Sequence, residues 1–332
     1  MLSRLELTPA HCIKTVLPPL LDNIPISING SLTPKDLFIN ILGMSTDKLS
    51  IHSIGKQYHK TPCETSMRCH LQKIELNQLI EHNTKILLQS SHETLDSNKK
   101  YDFAIDYTND PYYGEVNATN ENYVIRGQAK KSTNSFCSYI SLCIINKYTR
   151  FTISMLPVEK GKTKTDYLKY FIDQVDKINL KINILCLDRE FYSRDVFTFL
   201  QENDIPHITP VVRRGKNGCE NLGFVVYGID WEPGKISTIY RKRFAIESSY
   251  RMRNVVKPKT SSRNPMLRYF YALISFMLKN AWVSIQRMHF MKVKRGPKTI
   301  EEDVFRFDLF VHFVEEWVRK RLKVKLVVKC YR

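Results

Sequence analysis

Three acids stand where they could hold divalent cations. Asp106 lies near the end of an alternating stretch at residues 101–107 (YDFAIDY), Asp188 closes an apolar run at 182–188 (INILCLD), and Glu247 lies further on. If the two stretches are neighbouring strands, Asp106 and Asp188 face each other across the ladder. Two close carboxylates repel, and one keeps its proton unless a cation lies between them. Oxygen ligands without His or Cys suit Mg²⁺ or Mn²⁺. Two such ions, roughly 3.5–4 Å apart, activate an attacking oxygen and stabilise a leaving one in phosphodiester displacement. Asp102, Asp110 and Glu115 read as solvated turn acids, although Asp102 shares the strand parity of Asp106. Asp195 reads as a helix-capping or dipole-supporting acid.

The surroundings of Glu247 point to a phosphate partner. Residues 240–290 hold eleven Lys or Arg and Glu247 as the one acid, whereas residues 1–98 are net neutral. The whole chain of 332 residues carries +18. Such an excess implies a polyanion, either nucleic acid or an anionic membrane surface. The longest apolar run, 269–278 (YFYALISFML), is too short to span a bilayer, so no membrane partner is expected. In a continuous helix over about 239–256, Tyr240, Arg243 and Glu247 share a sector of roughly 60°. The phenol can stack, the guanidinium can fork onto phosphate, and the carboxylate can hold metal. Phe244 and Ala245 fall on the opposite face, expected to pack on a sheet. The eight cysteines form no C-x-x-C pair, which argues against zinc. Cys137, Cys143 and Cys186 read as small buried hydrophobes, and reduced thiols fit an intracellular compartment.

The elements that must position these acids follow from periodicity. Strands are expected at 101–107, 123–128, 136–146, 150–158, 182–188 and 206–212, with helices at 165–178 and 194–203. This is the layout of a ribonuclease H-like fold in the α/β (α+β) class: a mixed sheet with an antiparallel three-strand entry and flanking helices. Three regions are expected: a helical N-terminal domain (1–98), the catalytic domain (99–290) with a short insertion at about 213–238, and a basic helical tail (291–332). Residues 49–79 have the pattern of a helix-turn-helix, broken at Lys60-Thr61-Pro62, with Pro62 suited to the first turn of the second helix. An ordinary helical hairpin would read the same. The amphipathic segment 304–321 suggests packing or dimerisation.

The residues AIDYTNDPYYG around Asp106, ILCLDREFYS around Asp188 and YRKRFAIESSYRMRN around Glu247 resemble the DDE-type transposases of prokaryotic insertion sequences. The resemblance covers about residues 35–290 and is strongest to the branch marked by a Tyr-(2)-Arg-(3)-Glu-(6)-Lys signature, most closely its archaeal members. It implies metal-dependent cutting at transposon ends and joining of the 3′-hydroxyl to target DNA, by Asp106, Asp188 and Glu247. It also implies end-phosphate contacts by Tyr240 and Arg243, and an aromatic that stacks on a base near the insertion. Trp231 is the candidate there, with a loop-anchoring role as the other reading. The signature departs at Asn254, which stands where Lys is expected; Arg251, Arg253 and Lys257 are the neighbouring cations that would meet DNA in its place. Only 58 residues separate Asp188 from Glu247, so the family's β-rich insertion is trimmed. The expected partner is double-stranded DNA, with a homodimer assembled on it, in a prokaryotic cytoplasm at the nucleoid. Two rival readings use the same residues: a DNA-binding derivative without catalysis, and a structure-selective nuclease without strand transfer.

Overall fold

Five helices open the chain: α1 (Pro9–Asn23), α2 (Pro34–Thr46), α3 (Ile51–Gln57), α4 (Glu64–Leu71) and α5 (Leu76–Leu88). The computed structural model describes residues 6–91, 94–211, 223–292, 299–301 and 303–326. Local chemistry sets the helix starts. The Thr33 and Ser50 hydroxyls accept the backbone N–H groups of Asp36 and Ser53, and Pro34 fills the first turn of α2. Helices α3 and α4 fall where the two-helix motif is expected, but α4 begins after Cys63, which leaves Pro62 outside it. Ile51, Ile54, Met67 and Leu71 turn their apolar sides inward.

The sheet follows. Its strands are β1 (Lys100–Pro111), β2 (Val124–Lys130), β3 (Thr133–Ile144), β4 (Thr152–Pro157), β5 (Lys181–Leu187), β6 (His207–Pro210) and β7 (Phe224–Tyr227). They lie in the order β2-β3-β1-β5-β6-β7, with β4 also against β3. Pairs β1–β5 and β5–β6 are parallel and the others antiparallel, which makes the sheet mixed. Asp110, read as a turn acid, lies instead in strand, because β3 continues opposite it through Asp110↔Cys137 and Pro111↔Phe136. Pro111, with no N–H to give a ladder, ends the strand. Helix α6 (Lys164–Lys177) starts at a reciprocal Thr163/Asp166 capping box. Helix α7 (Arg194–Glu202) is capped by Ser193, so Asp195 supplies charge to the first turn rather than the cap. Residues 213–222 of the expected insertion lie outside the described residues; the remainder gives β7 and most of helix α8 (Pro233–Arg241).

The helix expected over 239–256 is broken. Helix α8 passes through a 3-10 turn, Lys242–Phe244, into α9 (Ala245–Val255). Helices α10 (Pro265–Phe290) and α11 (Phe307–Leu322) complete the chain. Pro265 follows Asn264, whose side chain accepts the Met266 N–H. Helix α10 buries Phe270, Tyr271, Leu273, Phe276 and Met277 fully or almost so. It packs on α1 and α5, while α11 packs on α1 and α2. The compact units are therefore Met1–Thr94 with Arg251–Arg332, and Leu95–Tyr250. This differs from the expected boundaries. Helix α10 belongs to the helical unit, and α11 is a packed member of the same unit, not a tail.

Candidate active site

Register brings the two aspartates together. The β1–β5 ladder ends at Ile105↔Leu187, so Asp106 and Asp188 are the next positions on neighbouring parallel strands. Asp188 has left the strand and caps the 3-10 turn Arg189–Phe191, its carboxylate accepting the Arg189 N–H at 2.7 Å. Tyr107, beside Asp106, stacks on Phe191 of that turn with centroids 5.5 Å apart. This contact ties the two acid-bearing segments to each other.

A cation already sits at the pair. The Arg243 guanidinium lies 3.2 Å from Asp106 and 3.6 Å from Asp188, and its side chain is only 9% exposed. Burial pushes the Asp106 carboxyl up to about 6, against the lowering pull of Arg243; Asp188 and Glu247 raise it further. Arg243 is itself held above its usual range, because the attraction of Asp106, Tyr240 and Asp188 outweighs its desolvation. The Tyr240 ring centroid is 5.4 Å from the Arg243 guanidinium carbon and 5.0 Å from the Phe224 ring. Burial pushes the Tyr240 phenol up to about 12.

Several expectations are corrected by this geometry. Arg243 and Tyr240 are buried against the sheet side of the site, and a 3-10 turn interrupts the continuous helix expected to carry them together with Glu247. Phe244, expected to pack on the sheet, is 49% exposed. Glu247 is exposed on the first turn of α9. Among the described residues, no three His, Cys, Asp or Glu side chains come together as a metal-binding group. The pair of aspartates fits a divalent cation by donor type and by the charge it already shares with Arg243; Glu247 does not complete the cage. Arg253 has no exposure and its guanidinium lies 5.0 Å from the Phe276 ring, so it is a core residue of the helical unit, not a DNA contact. Trp231 packs against the sheet core of Ala104, Cys186 and Ile208 with Lys235 over its ring at 4.3 Å, which is the loop-anchoring role. Arg251 and Asn254 are exposed and Lys257 is half-buried.

Two supporting groups were not foreseen. The Tyr250 hydroxyl donates to the Asp106 carbonyl (3.0 Å) and meets the Ser141 hydroxyl at 2.9 Å. Ser141 is the cross-strand partner of Asp106, so one phenol clamps the middle of α9 to the strand carrying the acid. Tyr250 follows Glu247 by three residues, and that helical spacing was the available signal. Asp102 is likewise buried rather than solvated, and so is Asp110. Asp102 accepts from Asn183 (2.7 Å) and Asn146 (3.1 Å), and Lys242 lies 3.3 Å from it. The Lys242 contact anchors the residue just before Arg243.

With that geometry, residues 97–255 match the family model described as the transposase DDE domain. This match supports the class of DDE-type transposases, enzymes that cut DNA and transfer strands. The chain is also similar to a solved structure, the cryo-EM structure of piggyBac transposase synaptic complex with hairpin DNA, at 12% identity and a TM-score of 0.61. That match covers 98% of this chain and 84% of the other, and it supports the ribonuclease H-like mixed architecture. No curated protein matches the sequence significantly. Among the described residues, no helix is long and apolar enough to cross a membrane.

Proposed function

We propose that this chain cuts the ends of a prokaryotic insertion sequence and joins the freed 3′-hydroxyl to target DNA, with Asp106 and Asp188 as the central catalytic carboxylates. The observation that carries the reading is that Asp106 on β1 and Asp188 just past the end of β5 both follow the last paired position of two neighbouring parallel strands and share one buried guanidinium. Asp106 and Asp188 would hold the divalent metal on which DDE transposases generally depend, Mg²⁺ or Mn²⁺ and two ions in this reading, and Glu247 would join them when DNA is bound. Bound there, the metal would supply Lewis-acid activation of the attacking and leaving oxygens.

The chain's own residues do the rest. Arg243 neutralises the aspartate pair in the free protein, and it is the cation for which a DNA phosphate would compete. Tyr240 packs against Arg243 and limits where it can go. Tyr250 and the Asp102–Lys242 contact fix the backbone on either side of Arg243 and Glu247. Arg251 and Lys257 are left as the phosphate contacts beyond Glu247, and α3 and α4 as the duplex-reading element. The same reading includes the Tyr-Arg-Glu-Lys branch, an archaeal source, the nucleoid as site of action, and a homodimer on DNA.

Purified protein incubated with labelled element ends, target duplex and Mg²⁺ should give cleaved and joined products. Asp106→Ala, Asp188→Ala or Glu247→Ala should each abolish both while DNA binding persists. Cutting without joining would establish a plain nuclease, and binding with neither product would establish a DNA-binding derivative.

A further inference from the structure

The hairpin of β2 and β3 holds none of the acids, yet its place in the register is informative. Strand β5 stops at Leu187, level with Ile105, while β1 runs on to Pro111 and β3 runs beyond that toward Thr133. Strand β2 pairs with this overhang from Val124↔Cys137 to Lys130↔Thr133. The hairpin therefore extends past the sheet at the end where β5 delivers Asp188. From Ser141, level with Asp106, to the tip at Lys131 is about ten residues of strand, or on the order of 30 Å at ~3.3 Å per residue.

Its surface has one sign. Residues 126–132 are all exposed, and Arg126, Lys130 and Lys131 are the only charged residues from 124 to 135. Among the described residues, none of these three cations has a carboxylate partner. Charges on an edge strand can simply block strand-to-strand pairing, but acids would serve that purpose equally, and here there are none. The tip is also held in place. Lys131 and Ser132 both take left-handed backbone angles (φ 53° and 61°), a tight turn for which Gly or Asn is the usual choice. The Tyr113 hydroxyl donates to the Lys131 carbonyl at 2.8 Å and braces it. A register irregularity between Arg126 and Lys130 adds twist below the tip.

We propose that the β2–β3 hairpin is a contact for duplex DNA away from the cut, with Arg126, Lys130 and Lys131 each neutralising a phosphate. A two-stranded ribbon fits the major groove. At ~3.4 Å per nucleotide along the axis, a reach of about 30 Å places the contact roughly nine base pairs from the scissile phosphate. The distance rests on Asp106 and Asp188 being the cutting site; the contact itself does not.

The test uses the full chain and a variant carrying Arg126→Gln, Lys130→Gln and Lys131→Asn, the last chosen because Asn tolerates positive φ. Matching melting curves establish that the variant is folded, and single substitutions replace it if they differ. Binding to a 40-base-pair duplex is measured by fluorescence anisotropy from about 50 to 200 mM NaCl. Loss of three phosphate contacts should make the log–log salt slope shallower by ~2.7, so that the wild-type advantage shrinks about 40-fold over that range. Hydroxyl-radical footprints should lose protection about nine base pairs from the cut. Equal slopes and affinities overturn the proposal. So does an equal change on substituting Lys14, Lys85 and Lys181, which would make the effect one of total charge. Asp106→Ala protein should keep the full slope while failing to cut. If the wild type also fails to cut, the reading of the carboxylates falls while the slope still decides the hairpin.

Discussion

Asp106→Asn should make the metal-free protein more stable, although it removes one side of a salt bridge. Burial raises the Asp106 carboxyl from 3.8 to about 6, even with Arg243 at 3.2 Å. The folded state thus disfavours the charged carboxylate. Between pH 4 and 6 the native protein binds the proton and the unfolded chain does not, so this group's contribution to stability falls as pH rises across that window and is flat above it. A shift of about two pH units at 1.36 kcal/mol each corresponds to ~3 kcal/mol. Asn, neutral and of similar shape, should recover ~2 kcal/mol of that at pH 8, with the rest lost because Arg243 keeps only Asp188. For a unit of this size each kcal/mol moves the melting midpoint by ~2–4 °C, so Asp106→Asn should melt several degrees higher without metal. With Mg²⁺ the order should reverse: ligand at 100 times its Kd stabilises the wild type by ~2.7 kcal/mol and the variant by far less. Melting curves at pH 8 with EDTA and with Mg²⁺ provide the test. A variant that melts lower than wild type in EDTA would refute the reasoning, since Asp106 would then be a structural ion-pair partner and not a strained ligand.

Further outcomes follow from the same contacts. Tyr250→Phe removes the hydroxyl that joins α9 to Asp106 and Ser141; cleavage turnover should fall about tenfold (~1.4 kcal/mol) with duplex affinity unchanged, measured by single-turnover kinetics and anisotropy. Arg253→Ala should destabilise the helical unit by at least ~2–3 kcal/mol in urea melts, and among folded molecules the salt slope of DNA binding should not change. Lys242→Ala should cost ~1 kcal/mol or more by leaving buried Asp102 with only its two asparagine donors. The Mg²⁺-dependent rate should fall with decreasing pH below about 6 as a proton replaces metal on Asp106, visible in a pH–rate profile; a rate flat to pH 4.5 would contradict it.

The acid-bearing strands were legible because their information is local. Alternation in 101–107, the apolar run ending at Asp188 and the hairpin between β3 and β4 each lie within one short window. What the sequence hid was set by distant partners. Arg241-Lys242-Arg243 has good helix propensity, yet the 3-10 turn there lets Arg243 reach two carboxylates on strands far away in the chain, a tertiary override of local preference. Asp102 looked solvated until its two asparagines and Lys242 converged on it. Arg253 carries a charge in a cationic segment and so resembled a phosphate contact, but Phe276 of α10 covers it. Residues 265–290 fall within the expected catalytic domain, whereas helix α10 packs on α1 and α5.

The helical unit is made from both ends of the polypeptide, with the sheet unit interposed. During synthesis, α1 and α5 leave the ribosome before α10, their packing partner, exists. At 5–20 residues per second, the roughly 170 residues between α5 and α10 take on the order of 10–35 s to translate. For that interval the leucines and isoleucines of α1 and α5 that pack on α10 stay unburied. A message truncated before codon 265 would yield a product whose sheet can close but whose α1 and α5 lack the α10 surface they pack on.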